Sequence, residues 1–318
     1  MDSKSESNPI LSICIPTYNR AAFIGETLES IIPQLDDDVE ILIVDGASKD
    51  NTEDVVRQYI MKETRIRYIR LPTKGGLDQD YDKSVQLAYG NYCWLFSDDD
   101  ILKPGAVNAV KSAINEEYDL VVVNAEMRTR DLSKRLVKKH IATDENKKYG
   151  PDDMEDLFID SAEYLMYIGA IVIRRSIWLS RERELYYGTD FVHVGMIFQS
   201  PLPGSSLIIS EPYIIIRYGN SQWIPRSFDI WMFKWPKLIW SLKHISSEAK
   251  QSVCRREPWR SLRTLAAERS RGSYNIQTYY RYFSALHMNR LWKTFAWLIA
   301  CFPRKIFIGV HYCYNRTS

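Results

Sequence analysis

Four short apolar runs, Ile10–Ile15, Val39–Val44, Ile66–Leu71 and Tyr92–Phe96, alternate with stretches of helical period in the first 125 residues. Runs of this length read as buried strands, and strands separated by helices read as βαβ units of a mostly parallel sheet. The intervening helices are expected over Ala21–Ile32, where Phe23, Ile24, Leu28 and Ile31 share a face and Pro33 ends the run. Further helices are expected from Asp50 or Asn51 to Met61, from Gly75-Gly76 to Ala88, and over Pro104–Asn115, with a fifth strand at Asp119–Asn124. Open sheets of this kind bind ligands outside the carboxyl ends of their strands. The residues at those ends are therefore the first place to look for function.

All four ends are polar, and in ways that suit one nucleotide. Pro16-Thr17-Tyr18-Asn19-Arg20 supplies backbone amides, a flat ring and a cation. Asp45 supplies a carboxylate able to accept from a base, and Lys74-Gly75-Gly76 lets a ligand approach the backbone closely. The fourth run ends in Ser97-Asp98-Asp99-Asp100, followed by Ile-Leu-Lys-Pro-Gly105. Adjacent carboxylates repel and call for a compensating charge. A hard divalent cation fits, and Mg²⁺ commonly takes substrate phosphates as further ligands. Alone, the same triplet is also compatible with a solvated acidic turn that caps the helix at Pro104. Three other polar strand ends in the same crevice favour the cation.

Ser12-Ile-Cys-Ile-Pro-Thr-Tyr-Asn-Arg20, Ile43-Val-Asp-Gly-Ala-Ser-Lys-Asp-Asn-Thr52 and Trp94-Leu-Phe-Ser-Asp-Asp-Asp-Ile-Leu-Lys-Pro-Gly105 resemble the family 2 glycosyltransferases. The resemblance implies a GT-A α/β fold, a Rossmann-like and mostly parallel sheet flanked by helices. It also implies inverting transfer from a nucleotide-diphosphate-sugar, UDP-, CDP- or other, with Mg²⁺ or Mn²⁺. Gly75-Gly-Leu-Asp-Gln-Asp-Tyr-Asp82, Ser97-Asp-Asp-Asp100 and Arg217-Tyr-Gly-Asn-Ser-Gln-Trp223 look like the abequosyltransferase-like enzymes of O-antigen and other surface-polysaccharide assembly. Carried over by position, Pro16, Thr17, Tyr18 and Arg20 line the donor, with Tyr18 stacking on the base. Asp45 takes the base edge, Gly75 and Gly76 lie beside the donor, and Asp98 takes the ribose or sugar. Asp99 and Asp100 hold the metal. The sequence departs from the common pattern at Asp45-Gly-Ala-Ser48, at Ser97 and at Asp80-Tyr-Asp82, where many members carry an Ala-Arg-Asn run. Asp78 and Asp82 are thereby added to the expected donor contacts.

Such a transfer needs a base for the acceptor hydroxyl. In the family that base lies about a hundred residues beyond the metal motif, where this chain has Tyr187-Gly-Thr-Asp-Phe-Val-His193. Asp190 is the candidate; Thr189 or Asp190 as an ordinary N-cap is the alternative. His193 is a candidate for phosphate or metal contact, and Arg217, Asn220 and Trp223 for a lid over the donor. Two rivals to the transferase are a nucleotidyltransferase acting on a sugar phosphate and a non-catalytic sugar-nucleotide-binding protein. A Gly-rich triphosphate loop near the first strand, which the former needs, is missing.

Beyond residue 125 the signals weaken. Arg128–Tyr149 reads as a hairpin or mobile loop, Pro151–Ser161 as a short helix, Tyr167–Ile173 as a strand, Thr189–Phe198 as a helix and Leu207–Arg217 as a strand interrupted by Pro212. The expected division is residues 1–9 disordered, 10–225 catalytic (a nucleotide half 10–125 and an acceptor half 126–225), and 226–318 a helical C-terminal region. Charge divides the chain as well. From Arg217 onward there are 18 Lys and Arg against 4 Asp and Glu, a surplus of 14, while residues 1–216 carry a deficit of 12. Seven of the nine tryptophans also fall in this basic part. Basic, Trp-rich helices, above all Trp231–Lys237 and Trp292–Tyr314, suit an anionic membrane surface. A solvated basic face on an ordinary helical subdomain is the alternative. No nucleic-acid-reading module is recognisable. The five cysteines lack metal spacing, the first nine residues lack an apolar signal core, and no run is long enough to span a bilayer. The expected location is the cytoplasm, peripheral on the cytosolic face of the inner membrane, with a polyprenyl-diphosphate-linked or other glycan as acceptor.

Overall fold

A computed structural model describes residues 8–220, 223–284 and 286–307. They belong to two compact units, Met1–Asn220 with Leu242–Ala249, and Ser221–Ser241 with Lys250–Ser318. Cys313, the first seven residues and the end of the Trp292–Tyr314 segment lie outside the described residues.

In the first unit, β1 (Leu11–Thr17), β2 (Val39–Asp45), β3 (Ile66–Arg70) and β4 (Tyr92–Leu95) alternate with α1 (Ile24–Ile31), α2 (Thr52–Ile60) and α3 (Leu77–Leu87). The four strands pair in parallel in the order β3-β2-β1-β4, with Leu11 opposite both Val39 and Tyr92. β2 is buried at every residue, as a strand covered on both faces must be. Past the aspartates come β5 (Ile101–Leu102), α4 (Ala106–Asn115), β6 (Leu120–Arg128), β7 (Arg135–Val137) and β8 (Lys147–Tyr149). Then follow α5 (Met154–Ser161), β9 (Ile171–Arg174), α6 (Arg175–Ser180), α7 (Val192–Phe198) and β10 (Ser206–Arg217).

The expected α/β sheet is present, and its parallel half is formed by the four strands of the first 95 residues. Beyond β4 the sheet is mixed. β9 is inserted antiparallel between β4 and β6, while β10 runs parallel to β6 with a register shift between Ile209 and Ile214, around Pro212. β5 pairs antiparallel with the end of β10, placing Arg217 next to the aspartates. The Arg128–Tyr149 stretch contains two three-residue strands, and the apolar run from Tyr167 is a short 3-10 turn before β9 begins at Ile171.

The second unit is helical: α8 (Ser227–Asp229), a π-turn over Ile230–Lys234, α9 (Trp235–Ser241), α10 (Ser247–Val253), α11 (Leu262–Arg271), α12 (Ile276–Tyr282) and α13 (Arg290–Cys301). α10 straddles the division between the units. Phe228, Met232, Trp259, Tyr274 and Phe283 form its core, with Trp231, Phe233 and Trp292 packed against them. Trp259 and Trp235 are buried, and Trp231 and Trp292 are partly buried.

Candidate active site

Asp98, Asp99 and Asp100 follow β4, whose Phe96 backbone is still tied to β1 through Cys14 O. Burial holds them close to the strand, and each is met by a different element. Arg20 lies between two of them, with Nε 3.2 Å from Asp98 Oδ1 and an Nη 3.3 Å from Asp99 Oδ2. Asn220 Nδ2 donates to the same Asp99 oxygen at 2.7 Å, and an Arg20 Nη reaches Asn220 O at 3.3 Å. Asp99 Oδ1 takes no hydrogen bond from the described residues. Asp100 is fully engaged: Oδ1 accepts from Arg217 N at 2.8 Å and Oδ2 from the Tyr167 hydroxyl at 2.7 Å.

Three carboxylates in so little water are poorly tolerated as charges. Burial, and then the charge of Asp99, push Asp98 and Asp100 up to about 7. Burial also raises Asp99, against the opposing pull of Arg20 and Arg217. A group of buried acids partly kept protonated by its surroundings is a place where a further cation would be well received. Beside it, the buried Thr17 hydroxyl lies by Asp98 without a hydrogen bond of acceptable geometry.

Arg217 ties several elements to the aspartates. Besides its amide bond to Asp100, its guanidinium donates to Asp99 O at 2.8 Å and Arg130 O at 2.7 Å, and pairs with Glu26 at 2.5 Å. Arg20, Arg130 and Arg217 all sit over the Phe23 ring, 5.3–5.7 Å from its centre. Of the three residues expected to form a lid, Arg217 and Asn220 contact the aspartates, whereas Trp223 packs edge-on against Trp231 in the other unit. Tyr167, Glu26 and Thr27, whose hydroxyl donates to Asp100 O, complete the surround. They carry no motif that could have marked them in the sequence.

The other strand ends converge as well. Lys74 Nζ lies 3.7 Å over the Tyr18 ring, and Gly46 packs among Asp80, Lys74 and Thr17 O. Gly75 N donates to Asp80 Oδ1 at 3.1 Å, and a Cβ on Gly75 would sit 2.8 Å from that oxygen. Gly76, at φ +114°, turns the chain into α3. Asp45 is wholly buried, accepting from Ser48 N at 2.7 Å and the Tyr68 hydroxyl at 2.5 Å, with Arg70 at 3.4 Å. A base reaches it only if Tyr68 or Arg70 yields.

Three residues expected to contact donor or phosphate have other partners in the structure. Asp78 is 2% exposed, and its oxygens accept from Asp190 N and Val192 N, both at 2.9 Å, instead of facing a donor. Asp82 is turned to Trp178 Nε1 at 2.8 Å, Gln86 Nε2 at 2.7 Å, Arg183 at 3.1 Å and the Tyr187 hydroxyl. His193 lies inside a helix buried on every side, with Nε2 against Leu165 O at 2.6 Å and Nδ1 unpartnered. Burial lowers it to about 4, so at neutral pH it is an uncharged core residue, unsuited to phosphate. Asp190 itself is half-buried in the loop before α7, at φ +68°.

The glycosyl transferase family 2 model matches residues 12–178, more than half of the chain and all four strand ends. The chain belongs to that family, and it is a glycosyltransferase. An abequosyltransferase of Salmonella typhimurium is 27% identical over 67% of this chain and 68% of its own length. A Campylobacter jejuni enzyme named GalNAc(5)-diNAcBac-PP-undecaprenol beta-1,3-glucosyltransferase is 30% identical over 43% of this chain and 45% of its own. Among solved structures, S. aureus TarS 1-349 in complex with UDP-GlcNAc shares the fold at TM-score 0.60 and 15% identity, over 96% of this chain and 91% of the other. The Pyrobaculum calidifontis mannosyltransferase in complex with GDP-Man and Mn²⁺ does so at 0.53 and 16%, over 98% and 88%.

Proposed function

We propose that this glycosyltransferase moves a sugar from a nucleoside-diphosphate donor to a hydroxyl of a lipid-linked glycan, with inversion and with a divalent metal. The observation that carries the reading is the buried Asp98–Asp99 pair, held with Arg20 and Asn220 where the strand ends converge. Among the described residues no three His, Cys, Asp or Glu side chains are arranged to hold an ion by themselves. That suits Mg²⁺ or Mn²⁺, which bind through one or two carboxylates and the substrate's own phosphates. The open Oδ1 of Asp99 is the ligand we assign, with Asp98 beside it. Asp100, both oxygens occupied, holds the strand end instead. The metal would neutralise charge on the departing diphosphate.

Tyr18 and Thr17 lie on the base side, and Gly75 and Gly76 leave room for the donor. Asp190 accepts the proton of the acceptor hydroxyl as that oxygen bonds to the anomeric carbon from the opposite face. The bond to the diphosphate breaks, and a nucleoside diphosphate leaves. Asp190→Asn should bind donor as the wild type does and lose transfer by at least 10²-fold. Unchanged turnover refutes the base, and release of pyrophosphate instead of a nucleoside diphosphate refutes the reaction class. The relatives named for an undecaprenol-linked substrate and for abequose support a lipid-linked surface glycan as acceptor.

A membrane role narrows to one helix. No helix among the described residues is long and apolar enough to cross a bilayer. On α13 and just beyond it, Leu291, Phe295, Phe302 and Ile306 are exposed, while Ala296 and Ala300 face the core. No acidic residue follows Glu268, whereas eight Lys and Arg do. An exposed apolar stripe set in uncompensated positive charge suits a helix lying in an anionic interface.

A further inference from the structure

We propose that Asp78 is a positioning residue for transfer, clamping the Asp190 loop and tying it to the glycine turn that opens α3. The proposal rests on Asp190 being the base. Asp78 is almost wholly buried, and among the described residues no Lys, Arg or His pairs with it. Its carboxylate is met by backbone amides alone: Asp190 N on one oxygen and Val192 N on the other, each at 2.9 Å. Both come from the segment that carries Asp190, across more than a hundred residues of sequence.

That segment needs holding. Gly188 has φ +82° and Asp190 φ +68°, the left-handed region that a non-glycine residue keeps only when its surroundings impose it. Asp78 stands two residues after Gly76, in the first turn of α3. The loop beside the donor and the loop bearing the base therefore share one anchor. Donor contact does not account for a carboxylate whose oxygens are both turned to this segment. A plain helix cap accounts for the bond to Val192 but not for the one to Asp190. Misplacing a reacting group by about 1 Å costs on the order of 10²-fold in rate.

Asp78→Asn keeps the size but offers one acceptor and points an NH₂ at a backbone N–H. Rates are compared per folded protein, with Asp78→Ser as the second variant should the first fold poorly. The expected result is a fall in kcat of about 30- to 100-fold with donor Kd within twofold of wild type, and faster hydrogen exchange at the Asp190 and Val192 amides. In an Asp190→Asn background the same change should not lower the residual rate further. Donor affinity falling in step with turnover overturns the proposal in favour of a donor contact. Unchanged kcat, or an equal loss in the Asp190→Asn background, overturns it in favour of a purely structural role. Full turnover in Asp190→Asn alone removes the base itself, and that failure is visible before Asp78 is altered.

Discussion

Replacing Asp100 separates a strand-end clamp from a metal ligand. Asp100→Ala strips the acceptor from the Arg217 amide and the Tyr167 hydroxyl, now bonded at 2.8 and 2.7 Å. An unpaired buried donor costs about 1–3 kcal/mol, and Tyr167 is only partly buried, so the loss should be about 2–4 kcal/mol. Asp100→Asn can still accept from Arg217 N and donate to the Tyr167 oxygen, and should cost about 1 kcal/mol or less. Urea unfolding at pH 6 measures both.

The pH dependence supplies the sign check. Asp100 is raised to about 7 in the folded protein, so the folded state holds a proton that the unfolded chain gives up near 3.8. The stabilisation from this group is complete below the unfolded value and is lost as pH rises through about 7. Asp98 is raised to the same value, and the two titrate as a coupled set. Wild-type protein should therefore lose stability between about pH 4 and 7 relative to Asp100→Asn, which removes one member of the set, and the difference should level off above that range. In thermal melts, Mn²⁺ should still stabilise Asp100→Asn and fail to stabilise Asp99→Asn. An Asn variant as damaged as the Ala variant refutes the clamp, as does a wild type that gains on Asp100→Asn with rising pH. Loss of the Mn²⁺ effect in Asp100→Asn, with its retention in Asp99→Asn, reverses the ligand assignment.

Two further outcomes follow from side chains away from the aspartates. His193, lowered from 6.5 to about 4, makes the folded state the poorer proton binder between those values, so stability should fall as pH drops from 6.5 toward 4. The change amounts to about 3 kcal/mol at 1.36 kcal/mol per pKa unit. His193→Gln, still able to donate to Leu165 O, should flatten that slope in acid unfolding curves, and a slope equal to wild type refutes the assignment. Phe295→Glu, on the exposed face of α13, should leave the melting temperature within about 1–2 °C, roughly the effect of half a kcal/mol in a chain this size. It should weaken binding to anionic vesicles about tenfold or more, from the lost burial of one aromatic ring. Equal flotation of variant and wild type removes α13 from the interface.

The parallel half of the sheet was legible because each strand is a separate apolar run with polar residues at its carboxyl end. The direction of β9 was not: a strand buried on both faces has the same composition either way, and only its neighbours β4 and β6 orient it. β5, two residues long, carries too little pattern to be seen at all. The C-terminal tryptophans are ambiguous for a related reason. Their amphipathic rings suit a membrane interface and a protein core equally well, and here Trp259 lies in the core with Trp231 and Trp292 packed against it, while Trp297 is exposed. His193 did carry a warning, since Val192, Val194, Met196, Ile197 and Phe198 surround it in sequence and leave its helix no polar face.

The acidic residues show most clearly where one-dimensional reading ends. Asp78, Asp82, Asp98, Asp99 and Asp100 are the same side chain, all near the same strand ends, and sequence supports a ligand role for each. What separates them is which donors reach their oxygens. Asp78 is met by amides from residues 190 and 192, Asp82 by Trp178 and Tyr187, and Asp100 by Tyr167 and Arg217, each far along the chain. A carboxylate whose oxygens are filled in this way positions something, whereas one with an oxygen left over can bind something. By that criterion Asp98 and Asp99 stand apart among the five: Asp99 has Asn220 and Arg20 on one oxygen and no hydrogen bond from the described residues on the other, and Asp98 is met by Arg20 at Oδ1. That is why the metal ligand we propose is Asp99, with Asp98 beside it.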